Sequence, residues 1–131
     1  MKILAVDFGL RNIGLAFSQG QLVEPLAQLK VDNPAQALEK IKKVCLEKEI
    51  ELVVLGLPEG KLVPLVKDLG RSLQQELAVK VAYQDESLTS QEAVEKMVEA
   101  GKPLKKRRQQ KDLFAACLIL QSFLLKLTSE G

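Results

Sequence analysis

The chain contains no histidine and no tryptophan, and it has only two cysteines. The lack of histidine excludes a Ser-His triad, a histidine general base and a histidine-ligated zinc site. Cys45 and Cys117 lie far apart in apolar, helix-like surroundings, which is typical of small buried side chains rather than of a disulfide or a metal site. Any hydrolytic chemistry must therefore depend on carboxylates, lysines, hydroxyls or a bound hard cation.

Long apolar runs are also missing from the chain. None has the length of a membrane span, and the run after Met1 already contains Asp7, so we expect no anchor, no signal peptide and a cytoplasmic protein without a membrane partner. A hydrophobic content of 47% against 27% charged residues predicts one folded domain over residues 1–131. Aromatic residues are few and fall at apolar periodic positions, which argues against a base-stacking platform.

The periodicity of the apolar residues predicts an α/β fold with a mixed five-stranded sheet flanked by helices. The first three strand-like runs form an antiparallel meander, interrupted in the third run at Pro25. Helical and strand patterns then alternate, and Asn33 and Thr89 are suited to cap the helices that follow them. The predicted order is βββαβαβαα, with strands at 2–7, 13–18, 22–31, 50–57 and 79–84, and helices beginning near 34, 62, 90 and 111.

Three acidic residues are candidates for one shared site at the carboxyl ends of the strands. Asp7 ends the first run, Glu86 follows the fifth, and Asp112 falls in the first turn of the predicted last helix, where Ala115 and Ala116 permit close approach to the sheet. Carboxylates about 4 Å apart repel by roughly 4 kcal/mol per pair at an effective dielectric of 20. Such a cluster calls for a divalent cation, and oxygen-only ligands favour Mg²⁺ or Mn²⁺.

Each acidic residue also has a purely structural interpretation. Asp7 could cap the turn after its strand, Glu86 could belong to the polar start of the next helix, and Asp112 could complement a helix dipole. We favour the shared site because the run before Asp7 is so apolar.

Positive charge is concentrated between residues 102 and 111, although the formal net charge of the chain is only +2. A solvated surface loop is the simple interpretation of this stretch. A phosphate backbone suits so many positive charges beside a metal site better, so we expect nucleic acid to bind here, read by its backbone or shape. The basic residues are Lys102, Lys105, Lys106, Arg107, Arg108 and Lys111.

Four short sequence blocks, taken together in their order and spacing, form a recognisable pattern. They are Val6-Asp7-Phe8-Gly9 with Arg11, Ile13-Gly14 and Ala16; Val54-Leu55-Gly56-Leu57-Pro58; Asp85-Glu86-Ser87-Leu88-Thr89-Ser90; and Lys111-Asp112 with Ala115-Ala116 and Ile119-Leu120-Gln121. Over essentially the whole chain these blocks resemble the YqgF/RuvX family. The resemblance implies a ribonuclease H-like nuclease acting in Holliday junction resolution or in 5′-end maturation of pre-16S ribosomal RNA.

The resemblance also implies roles for individual residues. The metal-binding acids of the family fall on Asp7, Glu86 and Asp112, which we take as the catalytic set, and its first basic residue falls on Arg11. We expect Arg11, Arg107, Arg108 and Lys111 to hold the nucleic acid backbone.

The chain departs from the family pattern at two places. Ser87 stands where the family has arginine, and the loop after Pro58 is shortened. We expect a hydrolase, a Mg²⁺- or Mn²⁺-dependent endonuclease for structured RNA or branched DNA, acting as a monomer or homodimer, with ribosomal RNA processing favoured. The lost arginine motivates the alternative of a non-catalytic nucleic-acid-binding protein in transcription or ribosome assembly.

Overall fold

The computed structural model describes the backbone of residues 1–20, 22–58, 60–85 and 104–130, with side chains described only for 112–127 of the last range. Within these residues, five strands form one sheet in the order β3-β2-β1-β4-β5. The elements are β1 (Lys2–Asp7), β2 (Asn12–Gln19), β3 (Leu22–Lys30), α1 (Pro34–Lys48), β4 (Leu52–Leu57), a 3₁₀ turn (Gly60–Leu62), α2 (Val63–Leu77), β5 (Lys80–Asp85) and α3 (Leu104–Glu130).

The sheet is mixed, as the periodicity predicted. β1 pairs antiparallel with β2 and parallel with β4, and β4 pairs parallel with β5. β4 is an interior strand, and its residues are buried on both faces of the sheet, which explains its unbroken apolar sequence. The predicted interruption of β3 is confirmed, because Leu15 pairs with Ala27 while Ala16 pairs with Pro25, leaving one extra residue as a bulge.

The two faces of the sheet are buried by different helices. Leu4 and Val6 of β1 belong to the larger core with α1 and α2, whereas Ile3 and Ala5 belong to a second core with α3. This alternation is the two-residue period of a strand buried on both faces. Within the described residues, none of the helices combines the length and apolar character that a membrane crossing needs.

Local sequence signals determine where α1 begins and ends. The side chain of Asn33 accepts a hydrogen bond of 2.8 Å from the backbone N–H of Gln36, and Pro34 occupies the first helical position. Glu49 ends the helix in a left-handed conformation with φ 56°. The predicted cap at Asn33 is therefore confirmed.

The last helix corrects one prediction. α3 begins at Leu104, not near Lys111, so residues 105–111 are helical and not a loop. The lysines, arginines and glutamines there have high helix propensity, and residues 104–111 contain neither glycine nor proline. Asp112 consequently lies in roughly the third turn and not the first, which removes its interpretation as a partner of the helix dipole. The helix predicted near 90–100 lies outside the described residues.

Candidate metal and nucleic-acid site

Asp7 is the last residue of β1 and is only 7% exposed. By alternation it faces the same side as Ile3 and Ala5, the side covered by α3. An acidic side chain therefore lies at the end of an otherwise apolar strand, on the face of the sheet that α3 covers. β1, β4 and β5 all finish at this end, which we call the Asp7 end; it comprises Asp7, Leu57 and Asp85.

Gly14 connects Asp7 to α3. It pairs with Asp7 across the β1–β2 ladder, where opposite Cα atoms are about 4.5–5.5 Å apart. A Cβ atom built on Gly14 would collide with the backbone carbonyl group of Asp112 and lie 2.9 Å from the amide nitrogen of Leu113. The backbone of α3 thus rests directly on the strand beside Asp7, and the half-buried Asp112 lies one strand away from Asp7.

Small side chains continue this close approach along the helix. Ala5 and Ala16 pair with each other in the β1–β2 ladder, and both are fully buried in the core that α3 covers. Across from them, Ala116, Ile119 and Leu120 of α3 fill the same core. Ile119 and Leu120 pack toward the start of β1, whereas Asp112 lies at its end. Residues 104–111, which precede Asp112, therefore extend the helix beyond the Asp7 end of the sheet.

The third predicted acid, Glu86, lies outside the described residues. β5 runs to Asp85, which pairs with Leu57 of β4. In the part of the chain that the structure describes, no three acidic, histidine or cysteine side chains come together in a way that suits a metal ion. Two of the three acids of the predicted cluster, Asp7 and Asp112, therefore lie in the described part of the chain.

The donor chemistry of this pair fits a hard divalent ion. Both residues offer carboxylate oxygens, one of them buried, and the chain has no histidine to offer nitrogen. Mg²⁺ and Mn²⁺ prefer such oxygen ligands. Asp7 and Asp112 are thus compatible with the Mg²⁺ or Mn²⁺ that the sequence led us to expect.

Arg11 lies in the tight connection between β1 and β2 at the Asp7 end. Its side chain is 75% exposed, and one guanidinium nitrogen is 3.9 Å from a carboxylate oxygen of Asp32. A Cβ atom on Gly9 would lie 2.5 Å from the carbonyl oxygen of Asn12, so this connection requires glycine. An exposed ion pair of this length is weak, and Arg11 can exchange Asp32 for another anion at little cost.

The remaining predicted basic residues belong to the N-terminal part of α3. The backbone of Arg107, Arg108 and Lys111 is helical, and their side chains lie outside the described part of the chain. At about 1.5 Å per residue, the segment 104–111 extends roughly 12 Å from Asp112. The backbone of the basic segment therefore starts beside the acidic pair and leads away from the sheet.

Sequence reasoning missed the packing role of Gly14, although it named that glycine as part of a motif. The available signal was the short connection between β1 and β2, which sets Gly14 opposite Asp7. No pattern along the chain shows that a helix far along the sequence packs on the same spot.

Solved structures of junction-resolving proteins share the fold. The fowlpox virus resolvase in complex with its substrate Holliday junction DNA matches with a TM-score of 0.65, covering 97% of this chain and 99% of that chain at 15% identity. Thermus thermophilus RuvC, also in complex with a Holliday junction substrate, matches with a TM-score of 0.57, covering 91% of both chains at 15% identity. At these identities the likeness establishes the fold, and it confirms the predicted ribonuclease H-like class.

Sequence comparison identifies the family. The RuvX family, described as Holliday junction resolvase, matches residues 1–126. A relative from Lactococcus lactis subsp. lactis (strain IL1403), named "Putative pre-16S rRNA nuclease", is 35% identical over 133 residues, covering 94% of this chain and 93% of that protein. The chain belongs to the RuvX family, as its four sequence blocks predicted, and this membership supports a nuclease role.

Proposed function

We propose that this protein is a divalent-metal-dependent endonuclease that processes the 5′ end of pre-16S ribosomal RNA. The observation that carries the proposal is the contact of Gly14, the ladder partner of Asp7, with the backbone of Asp112. The backbones of two acids remote in sequence are thereby close at the end of a ribonuclease H-like sheet, which supports a shared site. The name of the Lactococcus lactis relative supports the choice of RNA.

In this proposal Asp7, Asp112 and Glu86 hold one or two Mg²⁺ or Mn²⁺ ions. When bound, such ions would offset the repulsion between the carboxylates and stabilise the negative charge that develops during phosphodiester hydrolysis. The contribution of the chain is a rigid frame. Asp7 is buried at a strand end, so little water screens its charge, and Asp112 is fixed by a helix whose backbone touches the sheet.

The proposed RNA lies across the Asp7 end of the sheet. Arg11 lies at the same end of the sheet as Asp7, exposed and only weakly paired with Asp32. The segment of α3 that contains Arg107, Arg108 and Lys111 directly precedes Asp112. In this proposal these positive groups hold the phosphates near the scissile bond and orient that bond for attack by water.

Cleavage of branched DNA is the second candidate function. It is supported by the description of the family and by the two solved resolvase structures that contain Holliday junction DNA. Two symmetric cuts in one junction need two active sites, so this function would require a homodimer.

A cleavage assay with two substrates tests the proposal. We expect the protein, with Mg²⁺, to cut a labelled RNA that spans the mature 5′ end of 16S ribosomal RNA faster than a four-way DNA junction, and EDTA to stop the reaction. Asp7→Asn should slow cleavage by about a hundredfold or more, since it removes a catalytic carboxylate. Asp68→Asn, an exposed aspartate of α2 paired with Arg71, is the matched control and should cleave like the parent.

Other outcomes assign the protein differently. Faster cleavage of the junction would support resolution of branched DNA. Binding of either substrate without cleavage, and with an affinity that Asp7→Asn leaves unchanged, would support a non-catalytic binding protein and contradict the proposal.

A further inference from the structure

We infer that Gly14 is a positioning residue for the acidic site: the lack of a side chain at this position sets the separation between Asp7 and Asp112. The inference rests on the proposed function, because the consequence of that separation is metal binding. It adds a requirement beyond the acidic residues themselves: β2 must have no side chain at the position where α3 crosses it.

The contact at Gly14 is with backbone, and this decides how a substitution would be accommodated. A Cβ atom there would meet the carbonyl group of Asp112 and the amide nitrogen of Leu113, which belong to the helical hydrogen-bonding pattern. No rotamer change can move those atoms. An added methyl group can therefore be accommodated only if the helix moves off the strand or the strand bends.

The rest of α3 is held in place, so the displacement should be greatest at Asp112. Ala116, Ile119 and Leu120 are fully buried against the sheet, together with Ala5 and Ala16. A side chain at Gly14 would thus tilt the N-terminal part of α3 away from the sheet, with the buried segment as the pivot. Normal van der Waals contact needs about 3.5–4.0 Å, so the shift is on the order of 1 Å. Mg²⁺ tolerates such an error poorly, because it demands near-ideal octahedral geometry.

Gly70 offers a matched control on the opposite face of the sheet. A Cβ atom on Gly70, in α2, would collide with the hydroxyl group of Tyr83. Gly70→Ala therefore adds the same methyl group on the other face of the sheet, against the end of a side chain that can move rather than against backbone. It controls for the exchange of a glycine for alanine without displacement of α3.

The experiment measures the rise in thermal midpoint as Mn²⁺ is added to the intact protein, from which the affinity for Mn²⁺ is obtained. For Gly14→Ala we expect an affinity about tenfold or more below that of the parent, as for other losses of ligand orientation. Gly70→Ala should keep the parent affinity even if its midpoint without metal is lower.

Rescue distinguishes positioning from damage. Glutamate is one methylene longer than aspartate, so Asp112→Glu should recover at least part of the Mn²⁺ affinity when combined with Gly14→Ala, but should weaken binding in the parent. If Gly14→Ala does not fold, Asp112→Glu is measured in the parent instead, because it changes the reach of the same carboxylate without touching the core. A loss of Mn²⁺ affinity is then expected, and a parent-like affinity would overturn the inference.

Three results would overturn the inference: parent-like affinity in Gly14→Ala, an equal loss in Gly70→Ala, or no recovery with Asp112→Glu. In each of these cases a parent that binds Mn²⁺ through Asp7 leaves the proposed function intact. A parent that shows no response to Mn²⁺ would refute the metal site itself, and the role of Gly14 with it.

Discussion

Asp7 and Gly14 face each other across the β1–β2 ladder, and the backbone of Asp112 occupies the space above Gly14. The pair joins a buried carboxylate to a position that carries no side chain. Because Gly14 has no side chain, the backbone of α3 can pack directly on β2 at Asp112, one strand away from Asp7. In the proposed site, close packing and metal binding would therefore depend on the same few atoms.

Asp112→Asn should stabilise the protein when no metal is present. In the proposed site Asp7 and Asp112 carry like charges, and at an effective dielectric of 20 two such charges about 4 Å apart repel by roughly 4 kcal/mol. We expect a higher urea midpoint than the parent in EDTA, together with a lost response to Mn²⁺. A lower midpoint in EDTA would instead indicate that Asp112 supports the fold through its other contacts.

Removing two charges from the basic segment of α3 should weaken binding of every nucleic acid tested and reduce its salt dependence. For Arg107→Gln with Arg108→Gln, the slope of log affinity against log salt should become shallower by about 0.7–0.9 for each lost phosphate contact. Lys43→Gln with Lys67→Gln removes the same charge from α1 and α2, the helices on the other face of the sheet. An equal change of slope in this control would show that net charge alone matters.

The sequence was sufficient to predict the five strands in their order along the chain and the start of α1, because each depends on local signals. Short apolar runs predict β1 and β2, and the Asn33-Pro34 pair predicts the helix start. Contacts between distant segments were harder to foresee. The basic residues before Asp112 are compatible with both a loop and a helix, and only tertiary structure shows that α3 crosses the sheet at Gly14.

Asn33→Ala should lower the free energy of unfolding by about 1 kcal/mol. The substitution removes the acceptor for the N–H group of Gln36, which has no partner within the first turn of α1. Urea denaturation of the two proteins measures the difference. Asn33→Ser supplies another capping oxygen and should lose only part of that stability, whereas equal losses would argue against capping as the cause.

Stability should fall with rising pH between about 9 and 11 in a way that depends on Cys45. Burial raises the pKa of this thiol from 9.0 to about 11. The thiol loses its proton at lower pH in the unfolded chain than in the folded one, so the unfolded state binds fewer protons across this range and is stabilised relative to the folded state. The contribution of Cys45 to the free energy of unfolding is therefore complete below pH 9 and is lost as the pH rises through 11. The urea midpoint of Cys45→Ala should decline less steeply over the same range, and parallel curves would contradict this assignment.

A double-mutant cycle on Mn²⁺ binding tests most directly whether Asp7 and Asp112 share an ion. Calorimetric titration would compare the parent, Asp7→Asn, Asp112→Asn and the double variant. If the two acids hold the same ion, each single substitution should remove most of the affinity, and the double variant should bind little worse than either. The coupling should then exceed about 1.4 kcal/mol, a factor of ten. Independent effects that simply add, or single variants that bind Mn²⁺ like the parent, would contradict a shared metal site.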